Sequence, residues 1–249
     1  MKVLGDSAKT AFYYKKIQGI FPDWVIKYKL KCASTEDELT LLLKGSTLKN
    51  KKPVVIIAKE QFLGVGQKSR RWFSPRGGIW LSAAYPIFSE EFSSKMFTLS
   101  VAIKLCEMLH KESIQASLKW PNDIFVGSKK LIGFLPRVIS RGKETTYVRI
   151  GLGMNFLNKS PFEGISLSEI LKTKKICEYR WTAKILKTIN ESIFCNHNNE
   201  YIIETANRYL IKKYLPRDYN FRDWVVKDID RNGNLRIFNN NEQKIVEVF

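Results

Sequence analysis

Gln61-Phe-Leu-Gly-Val-Gly-Gln-Lys-Ser-Arg-Arg-Trp-Phe-Ser-Pro-Arg-Gly-Gly78 is the stretch around which the rest of the chain arranges itself. Gly64, Gly66, Gly77 and Gly78 stand in it among Lys68, Arg70, Arg71 and Arg76. Glycine lets a backbone come close to a ligand. Successive backbone N–H groups, backed by guanidinium and ammonium charges, make a concavity suited to phosphate. Apolar runs flank the stretch, Val54-Val55-Ile56-Ile57-Ala58 before it and Ile79-Trp80-Leu81-Ser82-Ala83-Ala84-Tyr85 after it. It therefore reads as a basic, glycine-rich loop held between two strands. A solvated surface loop has the same composition, although loops also carry a large share of binding residues. Two familiar phosphate loops are excluded. Gln67 precedes Lys68-Ser69 where a Walker loop needs Gly, and Ser69 stands where a dinucleotide fingerprint needs its third Gly.

The 249 residues suffice for one main domain with a small appendage. Hydrophobic residues at 44% and aromatics at 12% mark a globular chain. No apolar run is long enough to span a membrane, and residues 1–17 lack the apolar core and cleavage site of a signal peptide. A cytoplasmic protein without a membrane partner is expected. Cys32, Cys106, Cys177 and Cys195 are scattered, and neither His110 nor His197 stands at metal-ligand spacing. No metal site is expected, and the thiols read as reduced and unreactive. The net charge of +18 would suit nucleic acid, an anionic membrane or an acidic partner. Its basic residues are spread along the chain rather than gathered in a block, so no nucleic-acid partner is expected.

Residues 1–24 form a polar lead, too short for a winged-helix DNA-binding domain, so no built-in repressor is expected. Trp24 to Leu30 reads as a strand, and Thr35 with Glu38 reads as a capping box opening a helix before Leu39, Leu41, Leu42 and Leu43. Hydroxyls at such a strand-to-helix junction also suit a ligand's polar atoms. Phe97, Val101, Leu105, Met108 and Leu109 lie at helical spacing, a core-facing stripe. Gly127-Ser128 turns Asp123-Ile124-Phe125-Val126 into Lys129 to Leu135, with Lys130 at a strand start, and Thr146 to Phe156 follows as a strand. Helices are expected from Ser166 to Glu169 and over about 180–215. Strands then run from Trp224, with Asn232-Gly233 a hairpin signal.

Lys119-Trp120-Pro121-Asn122-Asp123-Ile124, followed by Lys130 and Gly133, completes a pattern that resembles the biotin protein ligases. The resemblance rests on Cys32 to Glu36, Gln61 to Ser82, Lys119 to Gly133 and Gly151-Leu-Gly-Met-Asn155, and extends over residues 25–249. It implies an α+β fold: a mixed, mostly antiparallel sheet with helices on one face. A lead (1–24), a catalytic domain (25–215) and a shortened, SH3-like β appendage (216–249) are expected. The implied chemistry joins biotin to ATP with Mg2+, giving biotinyl-adenylate, then transfers biotin to a lysine of the biotin carboxyl carrier protein of acetyl-CoA carboxylase. No enzyme nucleophile is needed, so catalysis is positioning and charge stabilisation.

By the matched motifs, Lys130 is the lysine that bonds the reacting carboxylate and α-phosphate, and Asp123 orients the acceptor amine. Ser34, Thr35, Glu36, Gln61, Gly64, Gly133 and Gly153 would meet biotin. Val65, Gly66, Gln67, Lys68, Ser69, Arg70, Trp72, Asn122 and Asn155 would meet the adenylate, Trp72 on its adenine side. Gly64-Val65-Gly66-Gln67 replaces the family's usual Gly-Arg-Gly-Arg, which removes two adenylate-retaining arginines, and Glu36 replaces a common Asn. Two other readings stand beside this one. Lipoate ligases share the fold, but Arg70-Arg71-Trp72-Phe73-Ser74-Pro75 departs from their Arg-Arg-x-Ser-Gly-Gly-Gly signature. A catalytically weakened, nucleic-acid-binding relative would answer to the missing arginines and the charge.

Overall fold

Alternation along the central strands gives one sheet two unlike faces. The computed structural model describes residues 5–45, 52–67, 70–87, 92–141, 145–161, 163–195, 198–216, 223–240 and 242–247. In chain order these form α1 (Asp6–Lys15), β1 (Val25–Lys29), α2 (Thr35–Gly45), β2 (Val54–Ala58), β3 (Ile79–Ile87), α3 (Ser94–His110), β4 (Ala116–Lys119) and β5 (Asp123–Val126). There follow β6 (Lys129–Arg141), β7 (Thr145–Met154), α4 (Leu167–Ile170), α5 (Glu178–Cys195), α6 (Asn199–Tyr209), β8 (Val225–Ile229), β9 (Leu235–Phe238) and β10 (Gln243–Val246). The seven-stranded sheet runs β1-β2-β3-β7-β6-β5-β4, and only its β1–β2 pair is parallel. β8, β9 and β10 make a separate antiparallel sheet. This is the expected α+β class, with the expected β appendage.

On one face Val55, Ile57, Ile79, Leu81, Ala83, Ile150, Leu152 and Met154 join the main core with α3 and α5. The helix α3 was expected to turn one stripe inward, yet it is buried almost all round, because α5 and α6 cover the sides that the sheet leaves open. The polar lead contributes α1, whose Tyr14 is buried in the same core. On the other face Val54, Ile56 and Ala84 meet Leu39 and Leu43 of α2. Beyond α2 that face carries no helix among the described residues, and its strands change character: Ser82, Gly151, Gly153 and Gly133 stand on it beside Trp80.

A β-bulge decides which side chains look out from this open face. Asp123 pairs with Gly133 and Ile124 with Ile132, but Phe125 pairs with Lys130, which leaves Leu131 as the extra residue. In a regular strand Lys130 and Gly133, three apart, would face opposite ways. The inserted residue restores the phase. Leu131 and Ile132 are consequently both buried in the core, and Lys130 stands on the face of Asp123 and Gly133.

The β8–β10 sheet is tied down at two places. Trp120 Nε1 donates to Gly233 O at 3.1 Å, beside Lys95, whose Nζ donates to Asn234 Oδ1 at 2.6 Å. On α6, Asn207 lies alongside β8 as a substitute strand edge. Its Nδ2 donates to Ile229 O at 2.9 Å, and its Oδ1 accepts from Ile229 N at 2.8 Å. Asn207→Ala removes both bonds and leaves both backbone groups unpaired, so a loss of about 2 kcal/mol is expected. Urea unfolding measures it, and faster amide exchange at Ile229 than in β7 locates it.

Candidate active site

The open face begins where β1 ends. The chain enters α2 with Ser34 Oγ accepting from Glu36 N at 3.2 Å and Ser34 O accepting from Glu38 N at 3.2 Å. Ser34 therefore does the capping that the sequence assigned to Thr35. Thr35 is inside the helix, and Glu38 is drawn outward to Lys29 at 2.9 Å. Freed from capping, the Thr35 hydroxyl turns to the sheet and the glycine loop. It lies 2.8 Å from Ser82 Oγ and donates to Gln61 Oε1 at 3.0 Å, which also accepts from Thr35 N at 2.7 Å. Gln61 Nε2 donates to Ser74 Oγ at 2.9 Å. One chain of hydrogen bonds thus fixes β3, α2 and both ends of the loop.

Between Gln61 and Ser74 the loop folds back on itself. Trp72 N donates to Gly64 O at 2.8 Å, and Gly66 N to Arg70 O at 2.8 Å. Gly64 is needed at this crossing, since a Cβ there would stand 2.6 Å from Trp72 O. The fold-back sends the Trp72 indole onto the sheet. It rests over Gly133 and Gly153, partners across β6 and β7, where a Cβ would meet the ring at 2.8 Å and 2.4 Å respectively. Lys130 Nζ lies 4.6 Å from the ring centroid, within cation–π range, and 2.6 Å from Asp123 Oδ1. Lys130, Asp123, Gly133, Gly153, Trp72, Gly64, Gln61 and Thr35 thus form one continuous surface.

Lys130 is also held by its backbone. Its N donates to Glu163 O, its O accepts from Ile165 N, and both bonds are 3.0 Å long. Asn155 buttresses this strand edge from behind. Its backbone N donates to Leu131 O, and its Oδ1 accepts from Asn158 Nδ2 at 3.0 Å. Asn122, just before β5, donates from Nδ2 to Phe134 O on β6. Val65 and Arg70 are exposed, and Arg71 Nη2 donates to Phe62 O at 3.1 Å. Arg76, one of the loop's cations, is drawn to Glu60 at 3.5 Å. Lys68 and Ser69 lie outside the described residues, as does His197.

Four residues of this surface stand outside the expected set of site residues. Ser82 and Ser74 complete the hydrogen-bond chain. Arg149, buried on β7, donates from Nη2 to Glu36 Oε2 at 3.0 Å and to Glu36 O at 2.9 Å. Gly151 leaves room for that carboxylate, because a Cβ there would stand 3.1 Å from Glu36 Oε1. A cation between Val148 and Ile150 in an otherwise apolar run was the available signal. Burial pushes the Cys32 thiol, beside Gln61, up to about 11, so it is not a nucleophile at neutral pH. Among the described residues no group of three His, Cys, Asp or Glu side chains lies together as a metal site.

A mixed sheet with most helices on one face, and α2 beside a folded glycine loop on the other, is the fold this chain shares with solved biotin protein ligases. The chain superposes on the Aquifex aeolicus biotin protein ligase in complex with biotin and ATP with a TM-score of 0.64, at 19% identity over 90% of this chain and 94% of that one. It superposes with the same TM-score on the Helicobacter pylori biotin acetyl coenzyme A carboxylase synthetase with bound biotinylated ATP, at 21% identity over 89% and 100%. The chain belongs to the biotin/lipoate A/B protein ligase family, whose model matches residues 32–155. The Bacillus subtilis bifunctional ligase/repressor BirA is 31% identical over 109 residues, 43% of this chain. That match spans only 33% of the length of BirA.

Arg149→Met strands the Glu36 carboxylate without its partner. A loss of about 3 kcal/mol is expected. The double variant Glu36→Gln/Arg149→Met leaves no charge behind and loses less. Urea midpoints of the three chains check this order.

Proposed function

We propose that the chain is a biotin protein ligase. The observation that carries the reading is the convergence of Lys130, paired to Asp123 at 2.6 Å, with the Gln61–Ser74 loop through Trp72 on a floor of two glycines. A carboxylate and a nucleotide phosphate both repel each other and need a cation between them. The Lys130 ammonium, with three donors on a flexible stem whose backbone is fixed at both its N–H and its carbonyl, suits that place. The family match and the ligand-bound structures named above support the same choice of substrates.

In the first step a carboxylate oxygen of biotin attacks the α-phosphorus of ATP, and the bond to pyrophosphate breaks. The new P–O bond makes biotinyl-adenylate, with magnesium arriving on the nucleotide. In the second step the ε-amine of an acceptor lysine attacks the activated carbonyl carbon. AMP leaves with the electron pair of the broken C–O bond, and the amine sheds a proton. Asp123, beside Lys130, is placed to orient that amine. Glu36, Ser34 and Thr35 surround the ring end of biotin, Gln61 and Gly64 its carboxylate end, and Val65 to Arg70 the adenylate. The acceptor is a biotin carboxyl carrier domain, and the reaction belongs to the cytoplasm.

Trp72 fills the slot that the biotin side chain needs. Its Nε1 is buried there without a hydrogen-bond partner, a cost that is relieved when substrate displaces the ring. Biotin is therefore expected to change tryptophan emission in the wild type and not in Trp72→Phe.

Incubation with ATP, magnesium, labelled biotin and a carboxylase carrier domain tests the function directly. Lys130→Ala should lower pyrophosphate release about 100-fold or more while the far-ultraviolet circular dichroism stays unchanged. Turnover of Lys130→Ala at the wild-type rate would sink the role given to Lys130. Pyrophosphate release with lipoate in place of biotin separates the two ligase activities, and release with lipoate alone would reassign the chain.

A further inference from the structure

A ledge of aromatic rings and cations lies on the open face beyond Asp123, on the side away from the glycine loop. Lys119 pairs with Asp123 across the β4–β5 ladder, and Phe125 follows Asp123 by two residues on β5, so the three share a face. The loop's indole rests on β6 and β7, whereas β5 and β4 are the outer strands. After α6 the chain runs back along β4, where Ile211 N donates to Leu118 O at 2.8 Å. It then lays Tyr214 against Phe125, with ring centroids 5.4 Å apart, and fastens the phenol to Ser128 O at 3.2 Å. Lys119 Nζ lies 5.2 Å from the Phe125 centroid and 4.9 Å from that of Tyr214, and Lys213 Nζ lies 5.0 Å from the Tyr214 centroid. An aromatic face attracts an ammonium without neutralising it. Among the described residues no carboxylate pairs with Lys119, Lys212 or Lys213, and Asp123 is engaged by Lys130 at 2.6 Å.

We propose that the Lys119–Phe125–Tyr214–Lys213 ledge is the docking surface for the acceptor protein, and that the surface it receives is acidic. The ledge takes this role only if the open face is a ligase site, as proposed above. A protein fits it better than a phosphate group does. Its cations are spread over flat rings, whereas phosphate is held where backbone N–H groups converge. The ledge also lies across Asp123 from the loop, so a partner resting on it brings its lysine to Asp123 from the side opposite the adenylate. Leu210 already bridges to Leu118 on the β4 edge, so the partner is held there by side chains rather than by an added strand. Carboxylates on the partner would complete the unpaired ammonium groups, and the net charge of +18 draws such a surface in from a distance.

Steady-state biotinylation of a carboxylase carrier domain by the full chain tests this, with hydroxylamine as a second acceptor. Hydroxylamine discharges the same adenylate, its nitrogen attacking the activated carbonyl carbon as AMP leaves, but it is too small to use a docking surface. Lys119→Glu/Lys213→Glu should raise the KM for the carrier domain roughly 10-fold or more, with the KM for ATP and the rate with hydroxylamine unchanged. Added salt should raise the wild-type KM for the carrier domain and leave that of the double variant nearly constant. Should the double variant fail to fold, Lys213→Glu at the exposed end of the ledge decides alone, with a several-fold rise expected. A carrier-domain KM equal to that of the wild type overturns the inference and leaves the ligase reading intact. An equal loss of rate with hydroxylamine also overturns it, by placing Lys119 in the chemistry, and a raised KM for ATP does so by giving the ledge to the nucleotide. No activation of biotin by the wild type overturns both the inference and the ligase reading.

Discussion

One inserted residue governs the open face. The bulge at Leu131 lets a strand bury two consecutive apolar side chains and still present Lys130 beside Gly133. Without it, either Lys130 would enter the core, where an unpaired ammonium is untenable, or Ile132 would leave it. The backbone bonds of Lys130 to Glu163 and Ile165 hold the bulged strand from its outer edge. The Asp123 carboxylate then draws the ammonium across the sheet rather than into water. Position, charge and orientation of this side chain thus follow from a local irregularity in one ladder.

The division of labour between the two faces follows from side-chain size. Where Val, Ile and Leu alternate inward, α3 and α5 pack and supply stability. Where Ser82, Gly151, Gly153 and Gly133 alternate outward, no helix has anything to pack on, and a loop takes its place. That loop is anchored by hydrogen bonds at its two ends and by one indole in its middle. It is thereby separable from the core, and its substitutions need not cost the fold its stability. The change from Gly-Arg-Gly-Arg to Gly64-Val65-Gly66-Gln67 falls in this separable part.

Much of the fold was legible because its signals are local. Hairpin turns at Gly127-Ser128 and Asn232-Gly233 and the capping residues Ser166 and Glu169 act within a few residues of themselves. The loop and its neighbours announced themselves by composition. What stayed hidden is non-local or unmarked. A bulge adds a residue without changing the pattern of types, so nothing in Lys-Leu-Ile-Gly distinguishes it from a regular strand. In the sequence Thr35 reads as a cap because its competing partners, Gln61 and Ser82, are distant along the chain. Glu36 and Arg149 are 113 residues apart, and neither alone declares the other. The placement of Trp72 on the glycine floor needed the loop's own fold-back to be known first.

The bond from Trp120 to Gly233 makes the terminal sheet a participant in the geometry of the open face. Trp120 leads directly into the turn that opens β5, and β5 carries Asp123. A pull on the β8–β9 hairpin is thus transmitted, through one indole, to the strand that aligns Lys130. Cargo hung on the C-terminal side of that hairpin has a short mechanical path to the chemistry.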